Sequence, residues 1–246
     1  MKQLSYGVLL ALCCCTTLWA QNGSKQVELK EVTDGKFRQV TAVGEMRSLP
    51  DGNYYTAMNP ERTMIVKYAY KTGEPVDTLF NTHTARECTF DDFEGYTISS
   101  TGHHILVWRE TEAIYRRSRK AVVYDYDVRR NYVKPLTDSK SKQMIPTFSP
   151  DGRMCAYVRD NNIWIRKFDF DTEVQVTKDG AINKVLNGIT DWVYEEEISV
   201  TNLMAWSPNS ECLAFVRFDE SEVPEYSMQM YGNGTYPDYY NFKYPK

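Results

Sequence analysis

Short apolar runs recur along this chain, each preceded by a cluster of turn residues, and four of these units align without gaps. They are Met58-Asn59-Pro60-Glu61-Arg62-Thr63-Met64-Ile65-Val66, the stretch from Ile98-Ser99-Ser100-Thr101-Gly102 to Arg109, the stretch from Phe148-Ser149-Pro150-Asp151-Gly152 to Arg159, and the stretch from Trp206-Ser207-Pro208-Asn209-Ser210 to Arg217. Their starts lie 40, 50 and 58 residues apart. Each unit reads as the end of one strand, a tight turn, and a second strand. Proline presets φ at the second position of a turn, and Asp-Gly or Asn-Ser completes it. The run after the turn is apolar almost throughout, as expected of a strand inside a sheet covered on both faces. A further turn and strand follow, as in Asn161-Asn162-Ile163-Trp164-Ile165-Arg166. Several strands in each period of this length predict an all-β fold of β-propeller blades with unequal insertions. An immunoglobulin-like array would need repeats of roughly 100 residues.

Composition adds to this picture. The 246 residues suffice for one large domain or two small ones, and 42% of them are hydrophobic. The 18 Tyr and 5 Trp favour strands. A net charge of −4 argues against nucleic acid as the main partner. Residues 1–20 read as an export signal: Met1-Lys2-Gln3 is a positive start, Val8 to Leu18 is too short to span a bilayer, and Ala20 offers a cleavage site. Cys13-Cys14-Cys15 raises a lipid-anchored alternative, although Leu10-Ala11-Leu12 lacks the small residue expected before a lipidated cysteine. Exported, periplasmic or secreted, is the expectation. Cys88, Cys155 and Cys212 remain, with no metal-ligand spacing, and buried free thiols are expected of them. Cys155 aligns one step out of phase with Cys212, so the two point to opposite faces of their strands. His83 reads as a loop residue, and His103 and His104 as surface turn residues.

One segment departs from the strand pattern. Asp191-Trp192-Val193-Tyr194-Glu195-Glu196-Glu197 places three adjacent carboxylates after two aromatics. Like charges side by side repel, and carboxylates near apolar rings are poorly solvated, which a fold tolerates best when a cation arrives to be bound. A solvated acidic turn is the other reading, but it gives no reason for Trp192 and Tyr194.

The segment from Asn187 to Glu197 resembles the double-glutamate motif of the dipeptidyl peptidase IV family, serine exopeptidases of the prolyl oligopeptidase class. The resemblance implies that Glu196 and Glu197 bind the free α-amino group of a peptide, with Glu195 facing away in a structural role. Two carboxylates can share the three donors of one ammonium. The stretch from Tyr115-Arg116-Arg117-Ser118 to Val128 is similar to the family's arginine segment, and by that likeness Arg116 bonds the substrate's backbone carbonyl, a task suited to a rigid, permanently charged fork. Tyr115 stands where the family has Trp, and Arg119 where it has an aromatic; a plain basic strand is the other reading. The family carries an eight-bladed N-terminal propeller followed by an α/β-hydrolase domain, so four copies make about half of such a propeller over residues 21–246. No Gly-x-Ser-x-Gly occurs, and the three histidines fall in turns or loops, so no catalytic triad is expected here and the chain alone should be inactive. No cofactor or metal is implied. The partners would be peptides with a free N-terminus carrying Pro or Ala in second position, and a homodimer is compatible with the resemblance, the Tyr-rich stretch from Tyr226 to Tyr244 being read as irregular loops and edge strands. A non-catalytic exported propeller that binds a protein or small ligand is the alternative.

Overall fold

The computed structural model describes residues 26–38 and 45–244. The expected leader over residues 1–20 lies outside the described residues. The chain divides into two units, and the described part of the smaller one contains a short helix, α1 (Leu29–Thr33), with no buried residues. The larger unit, from residue 44 onward, is built of antiparallel strands. Among the described residues no helix is long and apolar enough to cross a membrane.

Three four-stranded sheets follow one another in chain order. The first is β1 (Arg47–Ser48), β2 (Tyr54–Met58), β3 (Met64–Ala69) and β4 (Pro75–Asn81). The second is β5 (Gly95–Ile98), β6 (His104–Ala113), β7 (Arg119–Asp127) and β8 (Tyr132–Pro135). The third is β9 (Met144–Phe148), β10 (Met154–Arg159), β11 (Asn162–Lys167) and β12 (Thr172–Gln175). A fourth, smaller group pairs β13 (Val185–Asn187) with β16 (Arg217–Asp219), and β14 (Met204–Trp206) with β15 (Leu213–Phe215); helix α2 (Trp192–Ile198) lies between β13 and β14 in the chain. The hairpin β17 (Glu225–Met230) and β18 (Asp238–Lys243) ends the described chain.

The four aligned segments are the turns β2–β3, β5–β6, β9–β10 and β14–β15, and they share one hydrogen-bond scheme. Asn59, Ser99, Ser149 and Ser207 each donate their N–H to the carbonyl five residues on, over 2.8–3.1 Å. Their side-chain oxygens accept from the N–H of Met64, His104, Met154 and Cys212. The fourth turn position has positive φ in every copy: Arg62 at 57°, Gly102 at 69°, Gly152 at 70° and Ser210 at 63°. Neighbouring turns are joined as well, Ser100 Oγ donating to the Pro150 carbonyl and the Asp151 N–H to Ser210 Oγ. A Cβ at Gly152 would come within 2.9 Å of Thr101 Oγ1, so glycine permits the second and third turns to approach.

Strand alternation explains the apolar runs. Ile105 and Val107 point one way into a cluster with Ile65 and Phe80 of the first sheet, while Leu106 between them points the other way onto Cys155 and Tyr157 of the third. Ala156 and Val158 in turn face Ile189 and Met204 of the fourth group. Each middle sheet is thus buried on both faces, stacked between its predecessor and successor as blades are.

Three expectations are corrected. His104 is not a surface turn residue: it opens β6, its ring stacks on Phe168 at 4.2 Å, and its Nδ1 lies 2.9 Å from the buried Asp125 carboxylate. His103 stays in the turn, and His83 lies in an exposed loop, as read. All three described cysteines are free, but only Cys155 is fully buried, Cys88 being half-buried and Cys212 exposed. The Tyr-rich stretch forms a regular hairpin with continuous register from Glu225 opposite Lys243 to Met230 opposite Asp238, because β-prone Tyr and Met residues flank a Gly- and Pro-containing connection.

Candidate functional site

The acidic run folds as α2, not as a turn or a strand. Asp191 is its N-cap, with extended backbone and its carboxylate accepting from the Tyr194 N–H at 2.8 Å. Ser199 ends the helix at φ 62°, ψ 28°. The entry is fixed by Gly188, at φ 74°, where a Cβ would meet Met204 Cγ at 2.7 Å. The aromatics hold the helix down: the Tyr194 ring meets Phe218 of β16 edge-on at 5.0 Å, and the Trp192 ring lies 5.5 Å from Tyr244.

Successive helical residues point about 100° apart, so the three glutamates meet three environments. Glu195 is 1% exposed and Glu197 is exposed, with Glu196 between them. Glu195 reaches the loop that joins β6 to β7. Its Oε1 accepts from the Arg117 N–H at 2.5 Å and from the Ser118 N–H at 2.9 Å. Glu196 meets Arg116 on the same loop: Nε donates to both carboxylate oxygens at 2.9 and 3.0 Å, and Nη2 lies 2.7 Å from Oε1. These bonds hold the Glu196 carboxyl below the ordinary carboxylate range and raise the Arg116 guanidinium. Glu197 makes no hydrogen bond or ion pair to the described chain.

Arg116 is not part of a basic strand. β6 ends at Ala113 and β7 begins at Arg119, and the loop between is closed by the Ile114 N–H to the Ser118 carbonyl at 2.9 Å. A register shift between Arg109 and Glu112, with Glu110 at φ 55°, bends the hairpin before its tip. Tyr115, half-buried on this loop, has its phenol pushed up by burial and by Tyr240 of β18. The structure therefore brings Arg116 onto Glu196, and Glu195 onto the backbone of the same loop, across a separation of about 80 residues, and leaves the Glu197 side chain exposed. Sequence reasoning missed the backbone N–H groups of Arg117 and Ser118 as the partners of Glu195, since only the side chains of that basic run carry a visible signal. The capping Asp191 before a periodic segment was a legible helix start.

Residues 99–246 match the family model described as "Dipeptidyl peptidase IV (DPP IV) N-terminal region". The chain belongs to the dipeptidyl peptidase IV family. The matched range includes Arg116 and all three glutamates of α2. A crystal structure of Porphyromonas gingivalis dipeptidyl peptidase 4 is similar over 92% of this chain and 32% of its own, with 63% sequence identity and a TM-score of 0.85. Prolyl endopeptidase FAP of Homo sapiens is 30% identical over 227 residues, covering 92% of this chain and 29% of that protein. A probable dipeptidyl-aminopeptidase B of Tuber melanosporum is 38% identical over 168 residues, covering 60% of this chain and 18% of that protein. This dipeptidyl peptidase IV-family chain thus spans about a third or less of the length of these relatives.

Proposed function

We propose that this chain is the N-terminal, amine-anchoring part of an exported dipeptidyl peptidase IV-type serine exopeptidase that releases X-Pro and X-Ala dipeptides. One observation carries the reading: an arginine fork on a loop engages Glu196 of a helix whose next residue, Glu197, is exposed, in a chain of this family. A peptidase that measures two residues from a free terminus needs a fixed anion to capture the ammonium, because the distance from that anion to the nucleophile sets the cut. Glu196 and Glu197 supply the charge, and Arg116 faces the peptide carbonyl that follows. The acyl transfer belongs to an α/β-hydrolase domain of the complete protein, and the stacked sheets are about half of an eight-bladed propeller closed by further blades. The leader over residues 1–20 directs the protein out of the cytoplasm. The exposed aromatic hairpin β17–β18 is the part of this chain suited to a homodimer contact.

The test uses the complete protein that carries this chain. It should hydrolyse Gly-Pro and Ala-Pro amides with a free amino group and lose that activity when the same substrates are N-acetylated. Hydrolysis indifferent to acetylation removes the amine anchor. No hydrolysis at all returns the chain to a non-catalytic propeller that binds a protein or small ligand.

A further inference from the structure

We infer that Glu195 is a positioning residue, a buried clamp that sets Arg116 against Glu196 by holding the backbone of the β6–β7 loop. The inference rests on the amine-anchor reading and goes beyond it, since Glu195 meets no substrate.

Arg116 is 68% exposed along its side chain, and among the described residues its one side-chain partner is Glu196. A long exposed arginine gains little from such a pair, which competes with solvent and with the entropy of its own side chain. The order of the pair therefore has to come from the backbone beneath it. At its tip that backbone is held by Glu195, whose Oε1 accepts both the Arg117 and the Ser118 N–H, beside the bond from the Ile114 N–H to the Ser118 carbonyl that closes the loop. Arg117 Nη1 adds a long contact of 3.5 Å to the Glu195 carbonyl. The clamp sits in a dry environment. Glu195 Oε2 and Ser118 Oγ are both buried, with no hydrogen-bond partner in the structure. A buried carboxylate that accepts from two backbone N–H groups is costly to disturb, since its loss leaves both donors buried without their acceptor. Helix geometry then couples the two glutamates: with Glu195 fixed to the loop, Glu196 one residue on is turned toward Arg116 and cannot swing away.

The clamp and a general structural role make different forecasts for the complete enzyme. Glu195→Gln keeps an acceptor for both N–H groups and should retain near-normal kinetics. Glu195→Ala removes the acceptor, and Glu195→Asp withdraws it by one methylene; the aspartate variant also serves where the alanine variant does not fold. For these two, KM on a free-amine X-Pro amide should rise by roughly 10-fold with a smaller change in kcat. The acid limb of the kcat/KM profile should also move to higher pH, the same direction expected on removal of the Arg116 guanidinium. The charged groups facing Glu196 are Arg116 and Arg117 on the loop and Glu195 and Glu197 on its own helix; Arg116 does most to hold the carboxyl down, with a smaller effect from Arg117, so displacing the loop lets the carboxyl rise. Thermal unfolding run in parallel separates this from a loss of fold. Normal KM and an unmoved acid limb in folded Glu195→Ala or Glu195→Asp overturn the clamp, as does a Glu195→Gln variant that is no better than Glu195→Ala. Glu196→Gln is the control on the reading beneath: a defect there with none at Glu195 defeats the clamp alone, whereas no defect at Glu196 defeats the amine anchor itself.

Discussion

Glu196 and Glu197 stand one residue apart and differ in what engages them, which gives each a distinct expected phenotype. Glu197 is open, so Glu197→Gln removes charge from the anchor and disturbs no contact of the described chain. Glu196→Gln removes charge and weakens the hold on Arg116 as well. Each should lower kcat/KM for free-amine substrates by roughly 10- to 150-fold, the loss expected for a charge-assisted hydrogen bond, with Glu196→Gln the larger. Little further loss is expected on an N-acetylated substrate, and wild-type kcat/KM in both variants would refute the assignment. The Arg116 fork sets the pH range. Because it holds the Glu196 carboxyl below its ordinary value, the anchor's charge is present above that lowered pKa and is lost as pH falls through it. Arg116→Met lets the carboxyl return upward, so the acid limb of kcat/KM should shift to higher pH; the alkaline limb, set by loss of the substrate's own ammonium proton, should stay. A pH profile of the two enzymes on one amide substrate checks it, and an unmoved acid limb would show that the guanidinium does not govern Glu196.

At the scale of elements, α2 is a two-turn helix whose order comes from its ends and its aromatic face, since a helix this short has little stability of its own. Asp191→Ala should therefore cost about 1 kcal/mol in the denaturant stability of the complete protein and raise KM on free-amine substrates, because the cap aims the glutamates. Unchanged stability would mean that Trp192 and Tyr194 alone hold the helix. How far such elements were legible follows from how each is specified. The four turns were readable because turn chemistry is local: Asn59, Ser99, Ser149 and Ser207 do the same job in every copy. The same alignment held the answer for His104, which occupies the slot of Met154 and Cys212, the first residue after each turn, but its polarity masked the match. Helix α2 was not read as a helix because Trp192, Val193 and Tyr194 are consecutive rather than spaced three and four apart, and its aromatics pack sideways onto β16 and Tyr244. The Glu195 contact was out of reach, since it joins a side chain to backbone N–H groups on a loop that only the β6–β7 register places nearby.

For the whole molecule, the repeats permit a comparison that bears on what lies beyond the fourth group. Val158 is 0% exposed, on the face that the fourth group covers, whereas its counterpart Val216 is 44% exposed. Identical positions in one repeat design differ only in whether a next sheet covers them. In the propeller reading a fifth blade does so, and burying each such side chain contributes about 1.5–3 kcal/mol. The 246-residue polypeptide expressed alone should accordingly leave this face open, form soluble aggregates or bind a dye that reports apolar surface, and unfold without a sharp cooperative transition. It should also show no turnover of Gly-Pro or Ala-Pro amides, for it has no Gly-x-Ser-x-Gly nucleophile. The discriminating measurement extends the chain through the segment that follows in its gene. If the exposed face is a blade interface, extension should abolish dye binding and restore a single cooperative transition. Val216→Asp in the extended form should then reverse both effects, because it would bury an unpaired charge. A short chain that is already monomeric, dye-negative and cooperative, with Val216→Asp harmless in the longer one, would show that the face needs no further blade.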